Sequence, residues 1–144
     1  MSRAFVKDDS DRPEPAIVRN PGDNPNYVTA TGLEMLRESL AEARSANDAR
    51  NVAYYEQRIA TAILDEPSSH EGNVVSFGSI VTTTDASGKQ TRVQIVGEDE
   101  ADPAHGSISW TSPYAQALLD RNVGETVTIH RPAGPAAVTI ASVE

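Results

Sequence analysis

Apolar positions divide the chain into three regimes. Over residues 1–26 they follow no period: Phe5, Val6 and Ile17 stand among Pro13, Pro15, Pro21 and Pro25 and the charges of Lys7, Asp8, Asp9, Asp11 and Arg12. Such a segment cannot bury enough apolar surface to offset the entropy of ordering it. It reads as a disordered tail.

Helical spacing follows. Leu33, Leu36, Leu40 and Ala43 form one stripe, and Val52, Tyr55, Ile59, Ala62 and Ile63 form a second. Thr29 or Thr31 can cap the first helix, and Thr31-Gly-Leu-Glu34 has the capping-box pattern. Asp48 is a natural N-cap for the second helix, which Pro67 stops. Two narrow stripes joined by the polar turn Ser45-Ala-Asn-Asp48 predict an antiparallel hairpin with a coiled-coil-like seam. Each arm would be about 16 residues, or roughly 24 Å long.

From Asn73 the period becomes two. Val74-Val75-Ser-Phe77 and Ile80-Val-Thr-Thr-Thr84 precede the turn Asp85-Ala-Ser-Gly88, and Thr91-Arg-Val-Gln-Ile-Val96 alternates after it, so a β-hairpin is predicted. Ile108-Ser-Trp110 is a short strand, and Ser112-Pro113 opens a helix with Ala115, Leu118 and Leu119 inward. Val127 and Ile129, then Val138 and Ile140, supply two more strands around Pro132-Ala-Gly-Pro135. The predicted fold is α+β, with residues 1–26 as tail, 27–72 as helical hairpin and linker, and 73–144 as a small, mostly antiparallel sheet carrying one helix.

Composition narrows the chemistry. There is no Cys, which removes disulfides, thiol nucleophiles and Cys-based metal sites. The formal charge is -9 over 144 residues, and no segment is basic, which argues against tight duplex binding. No apolar run is long enough for a membrane span or a secretory signal, so a cytoplasmic protein is expected. No nucleophile motif or phosphate-cradling glycine loop occurs, and His70, His105 and His130 show no zinc spacing. The run Glu98-Asp-Glu100-Ala-Asp102 lacks the spaced ligands and central glycine of a calcium loop and reads as a solvated loop or partner contact. Trp110, the sole Trp, reads either as packing or as a partner contact.

The order of motifs carries a resemblance. Val28-Thr-x-x-Gly-Leu-x-x-Leu-Arg-x-x-Leu40 opens the hairpin, and Val75-x-Phe-Gly78-Ser-Ile-Val81, Ile95-Val-Gly-Glu-Asp-Glu-Ala-Asp102 and Ile108-Ser-x-x-Ser-Pro-x-Ala115-x-Ala-Leu-Leu119 follow. Val123-Gly-Glu-x-Val127 and Arg131-Pro-Ala-Gly134 complete the series. Residues 27–144 resemble the Gre family of bacterial transcript cleavage and elongation factors, and Met1-Ser-Arg-Ala-Phe-Val-Lys7 is similar to its GreB-related branch. The resemblance implies an N-terminal coiled coil and an FKBP-like C-terminal domain that docks at the rim of the RNA polymerase secondary channel. The coiled coil would enter the channel, meeting transcript or DNA only there, and its acidic tip would help hold a magnesium ion shared with the polymerase active site. The protein would be a monomer and the polymerase the enzyme.

At the tip this chain departs from the family pattern. The family's arms are longer, and its tip carries an Asp with a Glu three residues on. Here the tip reads Asn47-Asp-Ala-Arg-Asn51, so Asp48 matches the first acid while Asn51 stands where the Glu belongs. A neutral amide is a poorer magnesium ligand, and Arg50 adds repulsion. The expectation is a modulator or competitor with weak or no cleavage stimulation, the alternative an active cleavage factor using Asp48. Asp99, Glu100, Asp102, Ser112, Pro113 and Tyr114 match family motifs outside the strands and are the candidate partner interface. A rival class is an FKBP-like prolyl isomerase, for which only Phe77, Trp110 and Tyr114 offer rings; another is an interaction module for a different partner.

Overall fold

The computed structural model describes residues 24–65 and 72–144. Thr29, rather than Thr31, caps the first helix: its hydroxyl accepts from the Gly32 amide at 2.9 Å, and α1 runs Ala30–Ser45. Leu36 and Ala43 are buried along its inner face. The chain reverses at Asn47, whose φ of 56° is left-handed, a conformation Asn tolerates better than most residues. Asp48 then caps α2, Ala49–Ala60.

Here the second arm is shorter than its stripe suggested. α2 has 12 residues against 16 in α1. Ile63–Leu64 is a strand, β2, parallel to β1, Tyr27–Val28. The Ile63 amide donates to the Asn26 carbonyl at 2.8 Å, and the Asn26 side-chain amide donates to the carbonyl of Arg58 at 2.7 Å and to the Thr61 hydroxyl at 3.2 Å. Asn26 thus satisfies one of the carbonyls a helix end leaves open and stops α2 before Pro67 can. It is 5% exposed. The tail boundary at residue 26 is corrected accordingly, since Asn26 belongs to the folded body; residues 1–23 lie outside the described residues, as do 66–71 of the linker.

The second layer is a five-stranded sheet, ordered β5-β4-β3-β7-β6, with β3 at Ile80–Asp85, β4 at Gln90–Val96, β5 at Ser107–Ser109, β6 at Thr126–Ile129 and β7 at Ala136–Val143. All neighbours are antiparallel except β4 and β5. The sheet is thus mostly antiparallel, as predicted, with one parallel pair; a 3-10 turn at Pro103–His105 lies in the connection between its strands. Helix α3, Pro113–Leu118, starts on the predicted Ser112 cap and buries Ala115 and Leu118. Alternation places Val81, Val93, Ile95, Val127, Ile129, Val138 and Ile140 in one core. The predicted strand at 74–77 is absent: Val74 makes a single bridge to Asn122, while Val75 and Phe77 still enter the core. Among the described residues no helix is long and apolar enough to cross a membrane.

Candidate functional site

The sequence-selected residues separate into three places: the hairpin tip, the loop after β4, and a cleft beside α3.

At the tip, Asp48 is committed to its helix. One carboxylate oxygen accepts from the Asn51 backbone amide at 3.2 Å, and the other accepts from the Asn51 side-chain amide at 2.7 Å. The residue at the position of the family's second acid therefore ties up the first. Among the described residues no group of three or more His, Asp or Glu side chains is placed to hold a metal ion. The tip thus offers one carboxylate, each oxygen of which accepts one hydrogen bond, with Arg50 two positions on in sequence.

The loop after β4 faces inward. Arg58 of α2 is 3% exposed, and its Nε donates to Asp99 at 2.6 Å while Nη2 lies 3.4 Å from Glu98. The Tyr54 hydroxyl donates to the other Asp99 oxygen at 2.5 Å. Glu100 accepts from the Thr29 hydroxyl at 2.5 Å, so Thr29 caps α1 with its lone pair and spends its proton on the sheet domain. Gly97 sits so close to the Tyr27 carbonyl that a side chain would collide with it. Tyr27 itself packs on Phe77 and edge-on against Trp110, with ring centroids 5.8 and 5.2 Å away. This junction joins the hairpin to the sheet. Asp99 and Glu100, expected on a partner-facing surface, are occupied within the chain, and Trp110 is a packing residue. Asp102 is exposed, 2.7 Å from the His105 ring. Sequence reading missed Arg58 and Tyr54; their four-residue spacing on one helix face was the available signal.

Ser112, Pro113 and Tyr114 do share one place. They line a cleft of about 810 Å³ between α3, the β3–β4 turn and the β6–β7 loop, with Ile108, Ile129 and Val138 in its floor. Ser112 is held by an N-cap bond from the Ala115 amide at 3.2 Å and by donation to the Ser109 carbonyl at 2.7 Å. The Tyr114 hydroxyl meets that of Thr83, in β3, at 2.9 Å. Across the cleft, the Asp85 carboxylate is held below its ordinary range by the Ser87 hydroxyl first and then by the Lys89 backbone amide.

Residues 69–144 match the family model described as transcription elongation factor, GreA/GreB, C-terminal. The chain is 39% identical over 94 residues to transcription elongation factor GreA of Beijerinckia indica, covering 65% of this chain and 59% of that protein. It is 34% identical over 137 residues to GreA of Methylococcus capsulatus, covering 82% and 87%. The crystal structure of GreA factor homolog 1 (Gfh1) of Thermus thermophilus is 23% identical, with 84% of this chain and 99% of that one covered and a TM-score of 0.47. Against the first GreA relatives the match spans about three fifths of their length, 59% and 63%. The shared C-terminal half, together with a GreA relative covered over most of its length, shows that this chain belongs to the GreA/GreB family of transcription elongation factors.

Proposed function

We propose that this protein binds RNA polymerase at its secondary channel and regulates elongation by occupying that channel. In this reading it acts in the cytoplasm as a monomer, modulates or competes with longer Gre factors, and stimulates transcript cleavage weakly or not at all. Family membership supports the partner. The single observation that supports the modulator reading is that the tip has one carboxylate, Asp48, each of whose oxygens accepts a hydrogen bond from Asn51. A hard cation is held better by several carboxylates than by one whose orientation a helix cap fixes, and a group ~1 Å out of place can cost two orders of magnitude in rate. The arms, 16 and 12 residues, give roughly 24 and 18 Å of helix. Of the interface candidates, Ser112, Pro113 and Tyr114 remain on the proposed docking face, and Asp102 is exposed in the loop after β4.

Transcript cleavage in backtracked elongation complexes tests this, with a full-length Gre factor as positive control and as competitor. Inhibition of the control factor without cleavage is the expected result. Robust cleavage that is lost in Asp48→Ala would restore the cleavage-factor reading. The prolyl-isomerase alternative gains little from the cleft, where Tyr114 is the one Phe, Tyr or Trp ring among the lining residues.

A further inference from the structure

The cleft beside α3 carries a charge pattern at odds with the rest of the molecule. Most cations among the described residues are neutralised by an acid: Arg37 by Glu34, Arg44 by Glu56, Arg58 by Asp99, Arg92 by Glu144 and Arg121 by Glu125. Arg50, at the hairpin tip, Lys89 and Arg131 make no ion pair with a described residue, and the latter two line this cleft, one on the β3–β4 turn and the other on the β6–β7 loop. Arg131 only donates through Nε to the Gly134 carbonyl at 3.2 Å. The acid on the same lip, Asp85, turns one oxygen into its own turn, where it accepts from the Ser87 amide, the Ser87 hydroxyl and the Lys89 amide at 2.9, 2.7 and 3.0 Å. His130 is the remaining titratable group there. The Lys89 charge also helps hold Asp85 ionised, so the rim sets two cations against one acid, a net positive border around an apolar floor and a local inversion in a chain of formal charge -9.

An apolar centre with a charged rim is the anatomy of a protein–protein contact, and a cationic rim selects a partner of opposite sign. We propose that the cleft holds an acidic peptide segment of a partner protein, seating an apolar side chain over Ile108, Ile129 and Val138 while flanking carboxylates meet Lys89 and Arg131. Nucleic acid is the poorer match, because single strands need stacking rings and a basic track, and this cleft has Tyr114 alone inside an acidic chain. The inference deepens the docking reading above: the partner's identity as polymerase rests on that reading, and its chemistry rests on the cleft.

The test is selection of a phage-displayed random peptide library on the immobilised full chain, followed by fluorescence anisotropy with the enriched peptide labelled with fluorescein. Enriched sequences should combine apolar residues with Asp or Glu. Their affinity should fall by about tenfold in the Lys89→Glu, Arg131→Glu double variant and should weaken with salt. Both positions are exposed, and far-UV circular dichroism checks that the variant folds. Neutralising the peptide's own carboxylates supplies the same comparison without altering the protein. Basic or uncharged enriched sequences, no enrichment, unchanged affinity in the folded double variant, or preferential binding of a single-stranded RNA oligomer would each overturn the proposal. Capture of core polymerase, run in parallel, separates the two readings: peptide binding lost while polymerase binding persists keeps this inference and removes the cleft from polymerase docking.

Discussion

Removing Asp99 should cost more than its place in an acidic surface loop suggests. The Asp99→Ala change leaves Arg58, 3% exposed, with Glu98 at 3.4 Å as its remaining charge partner, and takes the acceptor from the Tyr54 hydroxyl. Breaking a buried ion pair from one side costs about 3 kcal/mol or more, because the surviving charge stays desolvated. For a chain of this size that is a fall in thermal midpoint of roughly 10 °C. Urea unfolding followed by Trp110 fluorescence is the assay, since Trp110 packs against Tyr27 at this junction, with far-UV circular dichroism reporting the helices in parallel. Arg44→Ala is the control: its pair with Glu56 is 60% and 52% exposed, and its loss should stay within about 0.5 kcal/mol. Arg58→Met combined with Asp99→Leu should recover much of the stability, as apolar replacement of both partners removes the desolvation cost. An Asp99→Ala variant no less stable than the Arg44→Ala control would refute the reasoning. So would a double variant that merely adds the two single losses.

Further outcomes follow from other sites. Asp48→Ala should cost about 1 kcal/mol of stability, the worth of an N-cap, and leave the effect on transcription unchanged, as denaturation and elongation assays would report. Gly97→Ala drives a methyl into the Tyr27 carbonyl and should destabilise by about 1–3 kcal/mol, whereas the same change at Gly72, with open space around it, should be silent in thermal melts. Asp85 and Glu125 have folded-state pKa values depressed below 3.8 and 4.5, Asp85 chiefly by the Ser87 hydroxyl and Glu125 chiefly by the Asn122 side-chain amide. Their contribution is therefore present above those values and lost as pH falls through the lower folded values. Urea midpoints should decline on this account only below about pH 4 to 5, and Asp85→Asn with Glu125→Gln should flatten that decline.

Local chemistry determined much of this molecule in advance. The two stripes, the Asp48 cap and the Ser112-Pro113 start are readable because a helix period and a capping oxygen act within a few residues. The β3–β4 hairpin was legible for the same reason, through its alternation and the Asp85-Ala-Ser-Gly88 turn. The motif series marks the family without tertiary structure, because it is a matter of residue order along the chain. What tertiary structure decided lies between distant segments. Ile63 belongs to the apolar stripe read for α2, yet with Leu64 it forms a strand because β1 offers a backbone ladder and Asn26 closes the helix beneath it. The run Glu98-Asp-Glu100 reads as solvated charge, since nothing within a few residues neutralises it; only folding brings Arg58 and Thr29, 41 and 71 positions earlier, against it. The same holds for Lys89 and Arg131, ordinary turn cations in the sequence, which share a cleft because the sheet order sets the β3–β4 turn and the β6–β7 loop on either side of one apolar floor.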